Sequence, residues 1–217
     1  MNKQPKVIFV SGIDTDAGKT YATAWLARKW MDSGLSVATQ KFIQTGNRGR
    51  SEDIEAHRRL AGMAPLPEDS DLTTAPVIFS YPASAQLAAR IDGREIDVEA
   101  IDRSRELLSS RYDRLLIEGA GGLMVPLTDD YLAIDYVAGR RLPLALVTNG
   151  RLGSINHTLL SLEAIRSRGI ELPYVLYNTY FDSDSTIAAD TYGFIERYLR
   201  RHFPATELLR VPVMQAI

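Results

Sequence analysis

Runs of apolar residues alternate with helix-period segments along almost the whole chain, and no other feature restricts the possible folds as much. Val7-Ile8-Phe9-Val10 is apolar throughout; a loop follows, and then a helical stretch from Lys19 to about Asp32. Further strands are expected at residues 35–41, 112–118, 142–148, 174–178 and 208–211. Helical patterns at residues 52–61, 98–109, 155–168 and 185–201 lie between them. A strand with no polar side needs cover on both faces, which indicates a mainly parallel sheet with helices on either side. Right-handed crossovers then make the expected architecture an α/β three-layer sandwich. At 217 residues the chain is long enough for one good-sized domain, so residues 1–217 are expected to fold as one. Residues 62–80, rich in Pro, Asp and Thr, are expected to run over its surface.

The first strand leads into Gly12-Ile13-Asp14-Thr15-Asp16-Ala17-Gly18-Lys19-Thr20 and a helix. A phosphate-binding loop requires that context, as in the P-loop NTPase folds. Backbone N–H groups and the positive helix end would face phosphates, Lys19 would neutralise their charge, and Thr20 could ligate magnesium. The general spacing puts the first glycine at position 13, whereas here it is Gly12.

Ligands of open α/β sheets collect at the carboxyl ends of the strands. Glu118 stands at such an end, followed by Gly119-Ala120-Gly121-Gly122. It is a candidate magnesium ligand, the other reading being a solvated carboxylate on a loop. Asp53, at the start of a helical segment, is expected there for the helix dipole alone. Lys41 ends the second strand; it is either a surface lysine or, if that strand lies near the first, a second cation for a transferred phosphoryl group.

Composition excludes several chemistries. With 25 Lys plus Arg against 27 Asp plus Glu the net charge is -2, which offers no general attraction to nucleic acid or an anionic membrane. There are no cysteines, hence no disulfide, thiolate metal site or cysteine nucleophile. No secretory leader precedes the first strand, and no apolar stretch approaches the roughly 20 residues that span a bilayer. A cytoplasmic protein is the expectation.

Together the motifs resemble the dethiobiotin synthetase family. The loop from Gly12 to Thr20, with its early glycine, is similar to that family's phosphate loop. Lys41 through Gly46 is similar to its Lys-Pro-x-x-Ser-Gly, with Phe42 and Thr45 in the Pro and Ser positions. Glu118 to Gly122 is identical to its Glu-Gly-Ala-Gly-Gly, and Pro126-Leu127 follow. Leu152, Gly153, Ser154, Ile155, Asn156 and His157 match its Leu-Gly-x-Ile-Asn-His. The likeness runs in order from residue 7 to about residue 178.

The resemblance implies that Lys19 and Lys41 flank the ATP phosphates and a carbamate, with Lys41 the more direct helper. It implies that Thr20, Asp53 and Glu118 surround Mg2+, and that Thr45 hydrogen-bonds the substrate. Asp16, Ala17, Gly18, Tyr21, Gly119, Gly121, Asn178 and Pro212 would contact nucleotide, Asn178 as the adenine reader. Thr179 follows Asn178 where the family usually has Asp, a departure that weakens the adenine assignment and leaves the choice among ATP, CTP and GTP open. Gly153, Ser154 and Asn156, at a helix start, would hold the substrate's carboxylate across a homodimer interface; capping by Ser154 accounts for the same residues without a ligand.

The implied reaction joins 7,8-diaminononanoate and CO2 with ATP as co-substrate. A carbamate forms on one amine, its oxygen takes the γ-phosphoryl group, and the neighbouring amine closes a cyclic urea. The rival reading is a switch or partition ATPase of the same fold. Those proteins resemble one another in an extra lysine early in the phosphate loop, where this chain reads Ser11-Gly12-Ile13-Asp14. A glutamine-dependent amide synthase would need a cysteine-bearing glutaminase domain, which is not expected within 217 residues that contain no cysteine.

Overall fold

Strand and helix alternate as the apolar pattern predicts. The protein, seen in a computed structural model, is described over residues 5–213. In chain order the elements are β1 (Val7–Gly12), α1 (Lys19–Met31), β2 (Val37–Lys41), β3 (Gln44–Thr45), α2 (Glu52–Ala61), α3 (Pro67–Ser70), β4 (Ile78–Phe79) and α4 (Ala85–Ile91). There follow α5 (Val98–Arg111), β5 (Arg114–Gly122), α6 (Ala133–Gly139), β6 (Leu144–Asn149), α7 (Ser154–Ser167), β7 (Tyr174–Asn178), α8 (Ser185–His202) and β8 (Glu207–Val211). Six strands form one sheet in the order β2-β5-β1-β6-β7-β8, and every neighbouring pair is parallel.

The two-residue period of a strand divides the core between two faces. Ile8, Val10, Leu116, Ala145, Val147 and Leu176 pack with Ala22, Leu26 and Trp30 of α1 and Leu60 of α2. Phe9, Leu115, Ile117, Leu144, Leu146 and Val175 face the opposite way, against Ile101 and Leu108 of α5, Ile134 of α6, Leu162 of α7 and Leu199 of α8. The expected three-layer sandwich is therefore the observed one. Each fully buried large side chain contributes ~1.5–3 kcal/mol, so the strand tips that carry the polar groups rise from a rigid base.

The structure corrects three expectations. β2 does not neighbour β1, because β5 lies between them; Lys41 still reaches the phosphate loop through its in-register partner Glu118. The segment 62–80 does not simply cross the surface. It contains α3 and β4, it buries Thr74, Ala75, Val77 and Phe79, and the carbonyls of Thr74 and Val77 accept from the N–H groups of Lys41 and Gln44 at 2.7 and 2.9 Å. Backbone pairing with the chain just beyond the sheet's edge draws it inward. Ser154 does not cap α7. Gly153 occupies the cap position at φ 93° with no side-chain cap bond, and the buried Ser154 hydroxyl has no partner.

Phe42, in the family's proline position, has a structural use. Its N–H donates to the Glu118 carbonyl at 2.8 Å, a bond proline cannot make. Its ring packs edge-on against Phe9, with centroids 5.3 Å apart.

Candidate functional site

The phosphate loop closes on itself. Lys19 Nζ donates to the carbonyls of Asp14 at 3.1 Å and Thr15 at 2.8 Å, folding its side chain back over the loop. Gly18 sits at φ 89°, and a Cβ there would come within 2.0 Å of Asn178 Nδ2. A Cβ on Gly12 would meet the Asp14 carbonyl at 2.8 Å, which explains why glycine is required at that place. The last glycine thus supplies both the left-handed backbone and the space that no other residue offers.

Pairing of β2 with β5 puts Lys41 beside Glu118 on the face covered by α1 and α2. Lys41 Nζ lies 2.8 Å from Glu118 Oε1, 2.5 Å from Asp53 Oδ2 and 3.2 Å from the Gly119 carbonyl. Thr20 Oγ1, in the first turn of α1, is 2.9 Å from Glu118 Oε1 and 3.1 Å from Asp53 Oδ1. Asp53 can point inward because Ser51 takes over the capping of α2, accepting from the Ile54 N–H. Ser51 also donates to Gln44 Oε1 at 2.6 Å, tying α2 to β3 and so to Thr45. Glu118 is 1% exposed, which rules out the solvated-loop reading.

Charge within this cluster is mutually sustaining. Burial disfavours the ionised Glu118, yet the Lys41 charge and the hydrogen bonds from Lys41 and His57 outweigh it and hold the carboxyl well below its usual range. Burial likewise opposes the Lys41 ammonium, and Glu118 with Asp53 reverses the effect, holding its pKa above the ordinary value. Lys19 differs: burial brings it down to about 8, the charge of Lys41 adds to the drop, and Glu118, Asp53 and Asp16 only partly compensate. A lysine so placed gains from an arriving polyphosphate.

A cavity of about 470 Å³ joins these groups, lined by Thr15, Asp16, Gly18, Lys19, Thr20, Lys41, Ile43, Thr45, Asp53, Glu118, Gly121 and Phe181 among others. Ala17 is buried beneath the loop, and Tyr21 packs on the α1 face of the core. Asn178 is buried at the tip of β7; its amide donates to the Ala17 carbonyl at 3.3 Å and its oxygen accepts from the Tyr180 N–H. Pro212 is exposed beyond β8 and is not among the residues lining this cavity. Gly153 borders a different cavity with Arg151, Leu152 and Ile187, so one chain does not bring the α7 start into the central site. Asn156, on that first turn, is exposed.

Sequence reasoning passed over His57. It is fully buried on α2, with Nε2 2.5 Å from Glu118 Oε2 and Nδ1 3.0 Å from Thr39 Oγ1. Its spacing of four from Asp53 on one helix was the available signal, since such residues share a face. Phe181 was missed as well; the Arg151 guanidinium lies 3.8 Å over its ring.

Among the described residues no group of three or more His, Asp or Glu side chains forms a ready metal cage. The oxygens of Thr20, Asp53 and Glu118 nevertheless converge, and magnesium needs few protein ligands when water and phosphate oxygens supply the others. The donor set therefore fits that ion.

A family model described as "AAA domain" matches residues 6–217. The chain is 46% identical over 201 residues to "ATP-dependent dethiobiotin synthetase BioD 2" of Pasteurella multocida, covering 93% of this chain and 94% of that protein. It is 51% identical over 179 residues to the protein of the same name from Haemophilus influenzae, covering 82% and 94%. With "ATP-dependent dethiobiotin synthetase BioD" of Chlorobaculum tepidum the identity is 50% over 197 residues, covering 91% and 82%. Among solved structures, a ParA family ATPase from Chlorobium tepidum superposes with a TM-score of 0.54 at 16% identity, over 97% of this chain and 85% of that one. At that identity the likeness shows the fold alone. The ordered motifs and the identity along the chain lead to one conclusion: this protein belongs to the ATP-dependent dethiobiotin synthetase family.

Proposed function

We propose that this chain closes the ureido ring of dethiobiotin, using 7,8-diaminononanoate, CO2 and ATP, in biotin synthesis. The observation that carries the reading is the meeting of Lys19, Thr20, Lys41, Asp53 and Glu118 around one cavity, from two paired strands and two helices. Lys41 is held as an ammonium by two carboxylates and aims at the space next to the phosphate loop. There it stabilises charge that develops as the carbamate oxygen takes the γ-phosphoryl group. Lys19 leaves its loop carbonyls for the phosphates. Gly18, Gly119 and Gly121, together with Asp16, Ala17 and Tyr21, shape the nucleotide's surroundings, and Asn178 and Pro212 stand on its base side.

Thr20, Asp53 and Glu118 would hold Mg2+, which supplies neutralisation of the phosphate oxygens. Thr45 orients the diamine so that the second amine attacks intramolecularly; such orientation is worth ~7–11 kcal/mol of barrier at best. Gly153, Ser154 and Asn156 would receive the substrate's carboxylate from a second copy in a homodimer. Two features support that reading: the positive end of α7, where the Ser154 N–H donates back to the Arg151 carbonyl at 3.0 Å and the N–H groups of Ile155 and Asn156 follow, and the 90% exposure of Leu152 beside it. We read the chain as one domain working in the cytoplasm; among the described residues no helix is long and apolar enough to cross a membrane.

The test is direct. The protein is incubated with diaminononanoate, bicarbonate, magnesium and ATP, and the cyclic urea is sought by mass. ATP turnover that ignores the diamine, with no cyclic product, would favour the switch ATPase instead.

A further inference from the structure

We infer that Arg58, Thr39 and His57 form a hydrogen-bond relay of fixed direction that positions Glu118, leaving only its Oε1 for Thr20, Lys41 and the metal side of the site. The inference rests on the site reading above. It starts from Arg58, whose guanidinium grips Asp69 with two bonds, Nε at 2.9 Å and Nη2 at 2.7 Å. Asp69 is itself fixed by the Leu66 N–H and the Thr74 hydroxyl, at 2.8 Å each. The remaining Arg58 Nη1 donates to Thr39 Oγ1 at 2.8 Å.

Arginine cannot accept, so the Thr39 oxygen must, and its hydroxyl hydrogen is free to go elsewhere. His57 Nδ1 lies 3.0 Å away and receives it. That leaves the ring hydrogen on Nε2, which faces Glu118 Oε2 at 2.5 Å. The opposite tautomer would set a bare nitrogen against a carboxylate oxygen, and it would leave the buried Thr39 hydroxyl without an acceptor. Both ends of the ring therefore demand the same form.

The consequence falls on the catalytic carboxylate. With Oε2 tied to His57, Glu118 cannot rotate, and Oε1 alone remains for Thr20 and Lys41. His57 is fully buried and is not among the residues lining the cavity; it is a positioning residue whose anchor, Asp69, lies in the segment 62–80. Outer partners of this kind are worth about 10–100-fold in activity or metal affinity.

The experiment has two arms. Long-range ¹H–¹⁵N correlation on the uniformly labelled wild-type protein, without substrates, reads the His57 tautomer. Hydrogen on Nε2 only is expected; hydrogen on Nδ1 only, or on both nitrogens, overturns the relay. In kinetics, His57→Leu should lower kcat for ring closure by about 10–100-fold and raise the half-saturating Mg2+ concentration, with KM for the diamine unchanged. His57→Gln, whose amide N–H can take the place of Nε2–H, should recover much of the loss. Wild-type kcat and magnesium response in a folded His57→Leu protein would also overturn it. The NMR arm needs no turnover, so failure of the relay is separable from failure of the proposed reaction.

Discussion

Replacing Lys41 with methionine removes the ammonium between Asp53 and Glu118 while keeping a stem of similar length. The lysine side chain is 6% exposed and that of Glu118 is 1% exposed, so the pair is buried. Removing one partner of a buried ion pair costs ~3–5 kcal/mol, because the other is left charged and dry. Here the lower end applies. Glu118 keeps His57 and the Thr20 hydroxyl, and the Asp53 side chain, 27% exposed, keeps Thr20 and access to water. A loss of about 3 kcal/mol should lower Tm by roughly 6–12 °C for a chain of this length. Urea unfolding near neutral pH, without magnesium, measures it. Acid adds a second signature. Glu118 is held below its unfolded value, so its contribution is present above that value and disappears as pH falls through the folded one. The variant, lacking Lys41, should lose part of that steep acid limb. Ring closure in the folded variant should fall by about 10²–10³-fold, as for loss of a preorganised charge aimed at a transition state. An unchanged urea midpoint would refute the burial argument, and a full ring-closing rate would refute the catalytic one.

Three further outcomes are expected. Glu118→Gln should raise the magnesium concentration needed for half-maximal rate, and an unaltered magnesium titration would remove Glu118 from the metal site. Thr45→Ala should weaken diamine binding by about 0.5–1.5 kcal/mol, the net value of one neutral hydrogen bond, with calorimetric Kd as the check; an identical Kd rejects the contact. Gly18→Ala combines φ 89° with a Cβ 2.0 Å from Asn178 Nδ2, so the loop must shift and ATP binding should be lost; retained affinity for a non-hydrolysable ATP analogue would show that the loop accommodates it.

Much of the fold and part of the site were legible before any coordinates. The strand–loop–helix from Val7 to Met31 could be read because each residue there answers a local demand: apolar cover, a glycine cap, a helix start. The short elements were not legible. β3 and β4 have two residues each, and α6 has seven, too few to display a period. β5 was expected to end at Glu118 but continues to Gly122, since pairing with Gly12 holds glycines that favour no strand on their own.

The sequence by itself determined the parallel sheet, the phosphate loop and the polar residues at the strand tips, because period, glycine placement and motif order are properties of neighbours along the chain. It did not determine that β5 inserts between β2 and β1, that Ser51 frees Asp53 from capping duty, or that His57 meets Glu118 sixty-one positions away. Those outcomes depend on register between strands and on which helix face is buried, and only long-range packing selects them.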